Sequence, residues 1–137
     1  MSFISDYRTS LKTDATDLSA GGYTLPATRI KLGYLPRTSA EDFLGDVQAD
    51  GPFLLIGPGG REGLSIQSPH ARYSIACKLW IGIPRDTADE LKNIDDFLSA
   101  LKAAWAGATV SWEIPKFYHK QRPAVLLYRI TADTVGC

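Results

Sequence analysis

The chain has 137 residues, of which 45% are hydrophobic, 10% aromatic and 22% charged, as in an ordinary globular domain. This composition excludes a wholly disordered chain and a disulfide-dense scaffold, and the length predicts one domain over residues 1–137. Fifteen Lys and Arg residues balance fifteen Asp and Glu residues. Because nucleic-acid binders need a basic surface and membrane helices need about 20 apolar residues, we expect neither partner.

The first fifty residues are polar and show little hydrophobic periodicity. Their apolar spacing predicts a short helix over residues 2–11, followed by a polar loop over 14–22 that a glycine pair closes. A short strand over 30–34 and a second short helix over 39–47 complete this region. We expect residues 1–50 to form an extended, arm-like segment beside a core at 52–137.

Two strands are predicted at the start of the core. The apolar run Phe53–Ile56 indicates a buried strand that a turn at Gly57-Pro58-Gly59-Gly60 ends. Apolar residues then occupy every odd position of the segment Ala71–Ile83, while the even positions are mostly polar. This alternation predicts a long strand with one face on the core.

An amphipathic helix is predicted over residues 87–105, where Thr87 and Glu90 form a capping box. Its expected buried stripe comprises Leu91, Ile94, Phe97, Leu98, Leu101 and Trp105. Two more strands follow at 109–114 and 124–131, separated by a charged loop at 116–122. Because the last strand is apolar on both faces, we expect it to be central. The fold class is therefore α+β, an antiparallel sheet with one main helix on one face.

No constellation of residues predicts catalysis, a cofactor or a metal. The glycine-rich segment 57–60 lacks the Lys-Ser/Thr ending of a phosphate-binding loop, and His70 and His119 are isolated from other ligands. Helix-end electrostatics and a solvated helix face explain the carboxylates between residues 86 and 96. Cys77 lies in an apolar strand, which indicates a buried thiol.

Trp80 falls on the otherwise polar side of the long strand. Exposed there, it would mark a protein–protein contact, for which Arg72 and Lys78 would supply the polar rim. Alternatively, a second layer from the N-terminal region covers that side. The sequence leaves both interpretations open.

The order of elements from Phe53 onward resembles the tail terminator, or tail completion, proteins of long-tailed bacteriophages. The matching segments are 53–56, 71–83 with Pro84, 87–105, and 110–114 with 124–131. The resemblance implies a virion protein, assembled in the host cytoplasm, that forms a ring of six copies. It implies contacts with the tail tube, the neck or connector and any sheath, and neither catalysis nor a cofactor.

The N-terminal region departs from this family, which opens with a longer helix. Another neck, connector or tail tube component therefore stays an alternative. An alternative from another class is a small-ligand-binding or enzymatic domain. Its pocket would lie on the sheet under the N-terminal region, with His70, His119 and the acidic turn 86–90 as polar groups.

Contacts between subunits are expected at exposed loops and at the even side of the long strand. The candidate interface residues are Trp80, Arg72, Lys78, Gly59, Gly60, Arg61, Lys116, His119, Lys120 and Arg122.

Overall fold

A computed structural model describes residues 3–33, 40–63, 71–83, 88–118 and 124–136. The helices are α1 (Phe3–Ala15), α2 (Ala40–Asp50) and α3 (Ala88–Ala104), with a short 3-10 turn at Ala27–Arg29. The strands are β1 (Leu18–Ala20), β2 (Tyr23–Leu25), β3 (Ile30–Leu32), β4 (Phe53–Gly63), β5 (Ala71–Ile83), β6 (Thr109–Trp112), β7 (Lys116–Tyr118) and β8 (Ala124–Gly136). Within these ranges, no helix is long and apolar enough to cross a membrane.

The main sheet has the strand order β3-β4-β5-β8-β6, and β7 pairs with β8 farther along the same edge. β3 runs parallel to β4, whereas the other neighbours are antiparallel. β5 and β8 pair along their whole length, from Ala71 opposite Gly136 to Ile83 opposite Ala124. The predicted α+β class and the central position of the last strand are confirmed.

One face of this sheet, called the first face below, is covered by α1, α3 and the β1–β2 hairpin. The predicted stripe of α3 is confirmed by Ile94, Phe97, Leu98 and Leu101, and Trp105 is buried just beyond the helix end. Leu91 is an exception, with 39% of its surface exposed, since it lies in the first turn on the flank of the stripe.

The N-terminal residues pack into this core, so the expectation of an extended arm is wrong. The first helix continues to Ala15, and the predicted polar loop is instead a hairpin whose turn is Gly21-Gly22. Leu11, Ala15 and Leu25 are buried in the main core cluster. The hairpin strands have three residues each, too few for a readable alternation, and their apolar side chains pack against the core.

The other face, called the second face, carries a second hydrophobic cluster under α2. Phe43 of this helix contacts Trp80 and Phe53 edge-on, with ring centroids 5.1 Å apart in both pairs. Trp80 is only 6% exposed. The interpretation of Trp80 as an exposed contact residue is therefore wrong, because a layer from the N-terminal region covers it.

The predicted turn at Gly57–Gly60 is also wrong, since β4 continues through it to Gly63. Ile56 pairs with Cys77 and Gly59 with Ile75, so β4 has one residue more than β5 here and forms a bulge. A Cβ atom on Gly57 would lie 2.5 Å from the carbonyl oxygen of Ala76, which makes glycine necessary.

The side chain of Arg8 fixes this bulge to α1. Its Nε and Nη2 atoms donate to the carbonyl oxygens of Gly57 and Ile56 at 2.9 and 3.1 Å. The first of these bonds gives the Gly57 carbonyl a partner, whereas the Ile56 oxygen also accepts from the Gly33 backbone nitrogen at 2.9 Å.

We expect Trp80→Ala to destabilise the protein by about 3–5 kcal/mol, because it removes the ring at the centre of the second cluster. Trp112→Ala is the matched control, since Trp112 is 36% exposed, and it should cost much less. Urea unfolding of the two variants makes the comparison. Equal losses would contradict the burial of Trp80 under α2.

Gly21 and Gly22 provide a second matched pair, since both have positive φ angles, of 60° and 82°. A Cβ atom on Gly21 would lie 2.1 Å from the backbone oxygen of Asn93 in α3, whereas the space around Gly22 is open. We expect Gly22→Ala to cost about 1 kcal/mol, from backbone strain alone. Gly21→Ala should cost at least about twice as much in thermal or urea unfolding. A smaller loss for Gly21→Ala would show that the hairpin does not rest on α3.

Candidate assembly interface

One open groove lies where α3 ends, with a volume of about 450 Å³. Its polar lining includes Arg72, Thr109, Asp133 and Thr134. The Thr134 hydroxyl donates to the carbonyl oxygen of Gly107 at 3.1 Å, and Asp133 Oδ1 is buried with no hydrogen-bond partner. Among the described residues, no group of three or more His, Cys, Asp or Glu side chains could hold a metal ion.

Cys77 is a deeply buried thiol on β5. It is 1% exposed and unbonded to another cysteine. Burial raises the pKa of its thiol from 9.0 to about 12, and the nearby Arg8 guanidinium only partly opposes this. The predicted buried thiol is confirmed, and it is protonated at neutral pH.

The edge of the sheet formed by β6 and β7 carries an exposed apolar group. Trp112 is 36% exposed and Ile114 is 94% exposed. Trp112 pairs with Ile130 and Lys116 with Leu127, so the edge has one residue more than β8 between these pairs. The resulting bulge pushes Ile114 into solvent, and the ring of Pro115 removes a backbone donor beside it.

The opposite edge of the sheet is β3, which pairs with β4 alone among the described strands. Leu32 is 38% exposed there, and its neighbour Lys31 is also exposed. At the other edge, the exposed side chain beside Ile114 is Glu113, whose backbone nitrogen donates to the Arg129 oxygen at 3.1 Å. The β3 edge thus combines an exposed leucine with Lys31, and the β6–β7 edge combines exposed apolar side chains with Glu113 and Lys116.

The second face is open beyond the end of the α2 layer. Lys78, Arg72 and Arg129 are exposed there, in keeping with the polar side predicted for the long strand. Lys78 and Arg129 lie directly opposite each other on β5 and β8. Of the predicted interface residues, the structure therefore places Lys78 and Arg72 on an open surface.

The other predicted interface residues lie elsewhere. Gly59, Gly60 and Arg61 belong to β4 and pair with β5, so they form no loop. Lys116 is exposed at the start of β7, which replaces the first part of the predicted charged loop. His119, Lys120 and Arg122, like His70, lie outside the described residues.

Sequence reasoning missed three exposed residues: Leu32, Ile114 and Arg129. The alternation of residues 109–114 placed Ile114 with Val110 and Trp112 on one side of a regular strand. Pro115 was the available signal, since proline within a strand pattern indicates an edge or a bulge. No protein-family model matches the chain, and no curated protein sequence matches it either.

We expect Cys77 to react with a thiol reagent only as fast as the protein unfolds, because the reactive thiolate is suppressed. The measurement is Ellman titration of Cys137→Ser at mildly alkaline pH, with and without denaturant. Immediate reaction of the folded protein would contradict the burial of Cys77.

The unfolded chain releases the Cys77 proton at lower pH than the folded chain, so the free energy of unfolding should fall as pH rises from 9.0 towards about 12.

Proposed function

We propose that this protein is a structural subunit that joins copies of itself, edge to edge, into a closed ring. In this proposal it is a tail terminator of a long-tailed phage, at the head-proximal end of the tail tube. Its partners are copies of itself, six in the ring, together with the tail tube, the neck and any sheath.

The observation that carries the proposal is the character of the two sheet edges. Ile114 is 94% exposed, with Trp112 beside it, and the opposite edge exposes Leu32. An exposed isoleucine side chain is unfavourable in water. Its complete burial in a contact between subunits would stabilise that contact by roughly 1.5–3 kcal/mol. Lys31 and Glu113 add complementary charges beside these side chains.

Two different edges that bind each other make a head-to-tail contact. Such a contact generates a ring when the rotation between neighbours closes, and an open filament when it does not. The bulge at Glu113–Pro115 interrupts regular strand pairing on one edge. The contact we propose is therefore made mainly by side chains, with Ile114 as its centre.

The phage role rests on the order of elements. The segments that resemble a tail terminator form β4, β5, α3, β6 and β8, in the expected order. The zero net charge gives little repulsion between copies. The ligand-binding alternative placed its pocket on the sheet under the N-terminal region, but there Phe43 and Val47 of α2 are buried in a packed cluster.

We expect Ile114→Asp to abolish ring formation while leaving the fold intact, because the side chain is solvated in the monomer. The matched control is Leu91→Asp, an apolar-to-acidic change at a 39% exposed site on α3, which should still form rings. Native mass spectrometry and negative-stain electron microscopy of the same samples measure the subunit number. Circular dichroism confirms folding of each variant.

Two results would overturn the proposal. One is a wild-type protein that stays monomeric at all concentrations, both alone and with purified tail tubes. The other is a ring that forms equally well with Ile114→Asp. If rings form but do not bind the ends of tail tubes, the result supports a ring-forming subunit and contradicts the terminator role.

A further inference from the structure

The groove at the end of α3 contains a buried carboxylate oxygen that needs a donor. Asp133 lines this groove, whose volume is about 450 Å³, and its Oδ1 atom has no hydrogen-bond donor in the described parts of the chain. A buried acceptor without a donor is destabilising, and more so when it carries charge. The volume lies within the range of about 300–1,000 Å³ that is typical of small-molecule sites. The groove therefore offers both space for a ligand and an acceptor for its donor group.

A smaller cavity of about 150 Å³ adjoins the groove. The residues that line both are Gly107, Ala108 and Thr134. Tyr7 of α1 lines the smaller cavity. Burial chiefly raises the pKa of its hydroxyl to about 12, and the acidic groups of Cys77 and Asp133 add to this increase. The carboxylate of Asp133 thus lies within electrostatic range of α1 as well as of the groove.

The electrostatics of this region favour a cation beside Asp133. Asp14, in the last turn of α1, lines the smaller cavity, and residues 106–109, directly after α3, line the groove. Both helices therefore have their carboxyl ends here, where the partial negative charge of a helix stabilises a cation. Arg72 is exposed and lines the groove too, so a second positive charge on the same ligand would be repelled.

Hydrogen bonds hold the walls of the groove in place. Trp105 Nε1 donates to the Leu11 carbonyl oxygen at 2.9 Å, which joins the end of α3 to α1. The backbone nitrogen of Ala108 donates to the Trp105 oxygen at 3.0 Å, and the Thr134 hydroxyl fixes the Gly107 carbonyl. A ligand that enters a preformed site loses little affinity to the ordering of the protein.

We propose that this groove binds a small ligand with one primary ammonium group, which donates to Asp133 Oδ1. The bond is a charge-assisted hydrogen bond between ammonium and carboxylate. Arg72 favours a carboxylate at the other end of the ligand, so the ligand class is an amino acid or another aminoalkyl carboxylate. None of the residues of the proposed ring contact lines the groove, so this site goes beyond the ring and does not depend on it.

The test compares 5-aminopentanoate with pentanoate, which lacks only the ammonium group. Each is titrated into the ¹⁵N-labelled full chain at constant ionic strength, and TROSY NMR spectra record the amide shifts of a monomer or a ring alike. We expect 5-aminopentanoate to shift the amides of Gly107, Ala108 and Thr134 in a saturable way. Pentanoate should bind at least about tenfold more weakly.

Asp133→Asn removes the charge with little change in shape, and we expect it to weaken 5-aminopentanoate binding at least about tenfold. Asp96→Asn is the matched control, because Asp96 is exposed on α3 and pairs with Lys92 at 3.5 Å, away from the groove. It should bind as the wild type does. Thermal unfolding gives an independent measurement. Without ligand, the Tm of Asp133→Asn should be no lower than that of the wild type, because a buried charge without a donor is removed.

Three results would overturn the proposal. The first is equal binding of the two probes, or no saturable shift from either, which would mean that water alone serves the groove. The second is unchanged binding by Asp133→Asn, or an equal loss in Asp96→Asn. The third is a clearly lower Tm of Asp133→Asn, since the carboxylate would then already have a stabilising partner in the fold. Ring formation is measured separately, so its failure leaves these outcomes unaffected.

Discussion

The ladder between β5 and β8 is the interaction on which the rest of the structure depends. Thirteen residues of each strand pair along it, and these strands supply much of both hydrophobic clusters. Side chains of paired strands alternate between the two faces, so an apolar ladder needs cover on both sides. The first face receives that cover from α1, α3 and the hairpin. The second face receives it from α2 over part of its area.

Partial cover of the second face creates the surface that remains open. Trp80 and Leu127 lie opposite each other and are buried under α2. Two residues farther along the strands, Lys78 and Arg129 are exposed. The change from apolar to charged side chains therefore coincides with the end of the helix layer. The same ladder supports a packed core at one end and a basic surface at the other.

Irregular pairing has a local physical cause at two places in the described strands. In β4, the glycine at position 57 permits close approach to the Ala76 oxygen, and the Arg8 guanidinium donates to the Gly57 and Ile56 carbonyl oxygens beside it. Along the other edge of the sheet, the extra residue before Pro115 leaves Ile114 in solvent. The first bulge is internal and is compensated by α1. The second is at an edge, and its isoleucine is available to a neighbouring subunit.

The sequence by itself determined the elements with strong and long periodicity. Thirteen alternating residues specify β5, and the buried stripe with a capping sequence specifies α3, because such patterns agree with only one backbone geometry. The apolar character of residues 124–131 on both faces also predicted the central strand. Short elements such as β1, β2 and β7 carry too few residues for a pattern, so their pairing was not predictable.

Only the tertiary structure decided what covers Trp80, which residues reach solvent at the edges, and how Lys78 meets Arg129. Trp80 has the same sequence context whether it is exposed or buried, and its burial depends on where α2 (Ala40–Asp50), much earlier in the chain, packs. The neighbours of Lys78 and Ile114 depend likewise on the register between strands distant in sequence. Local sequence patterns indicate on which face of a helix or strand a side chain lies, whereas pairing between distant strands determines which residues surround it.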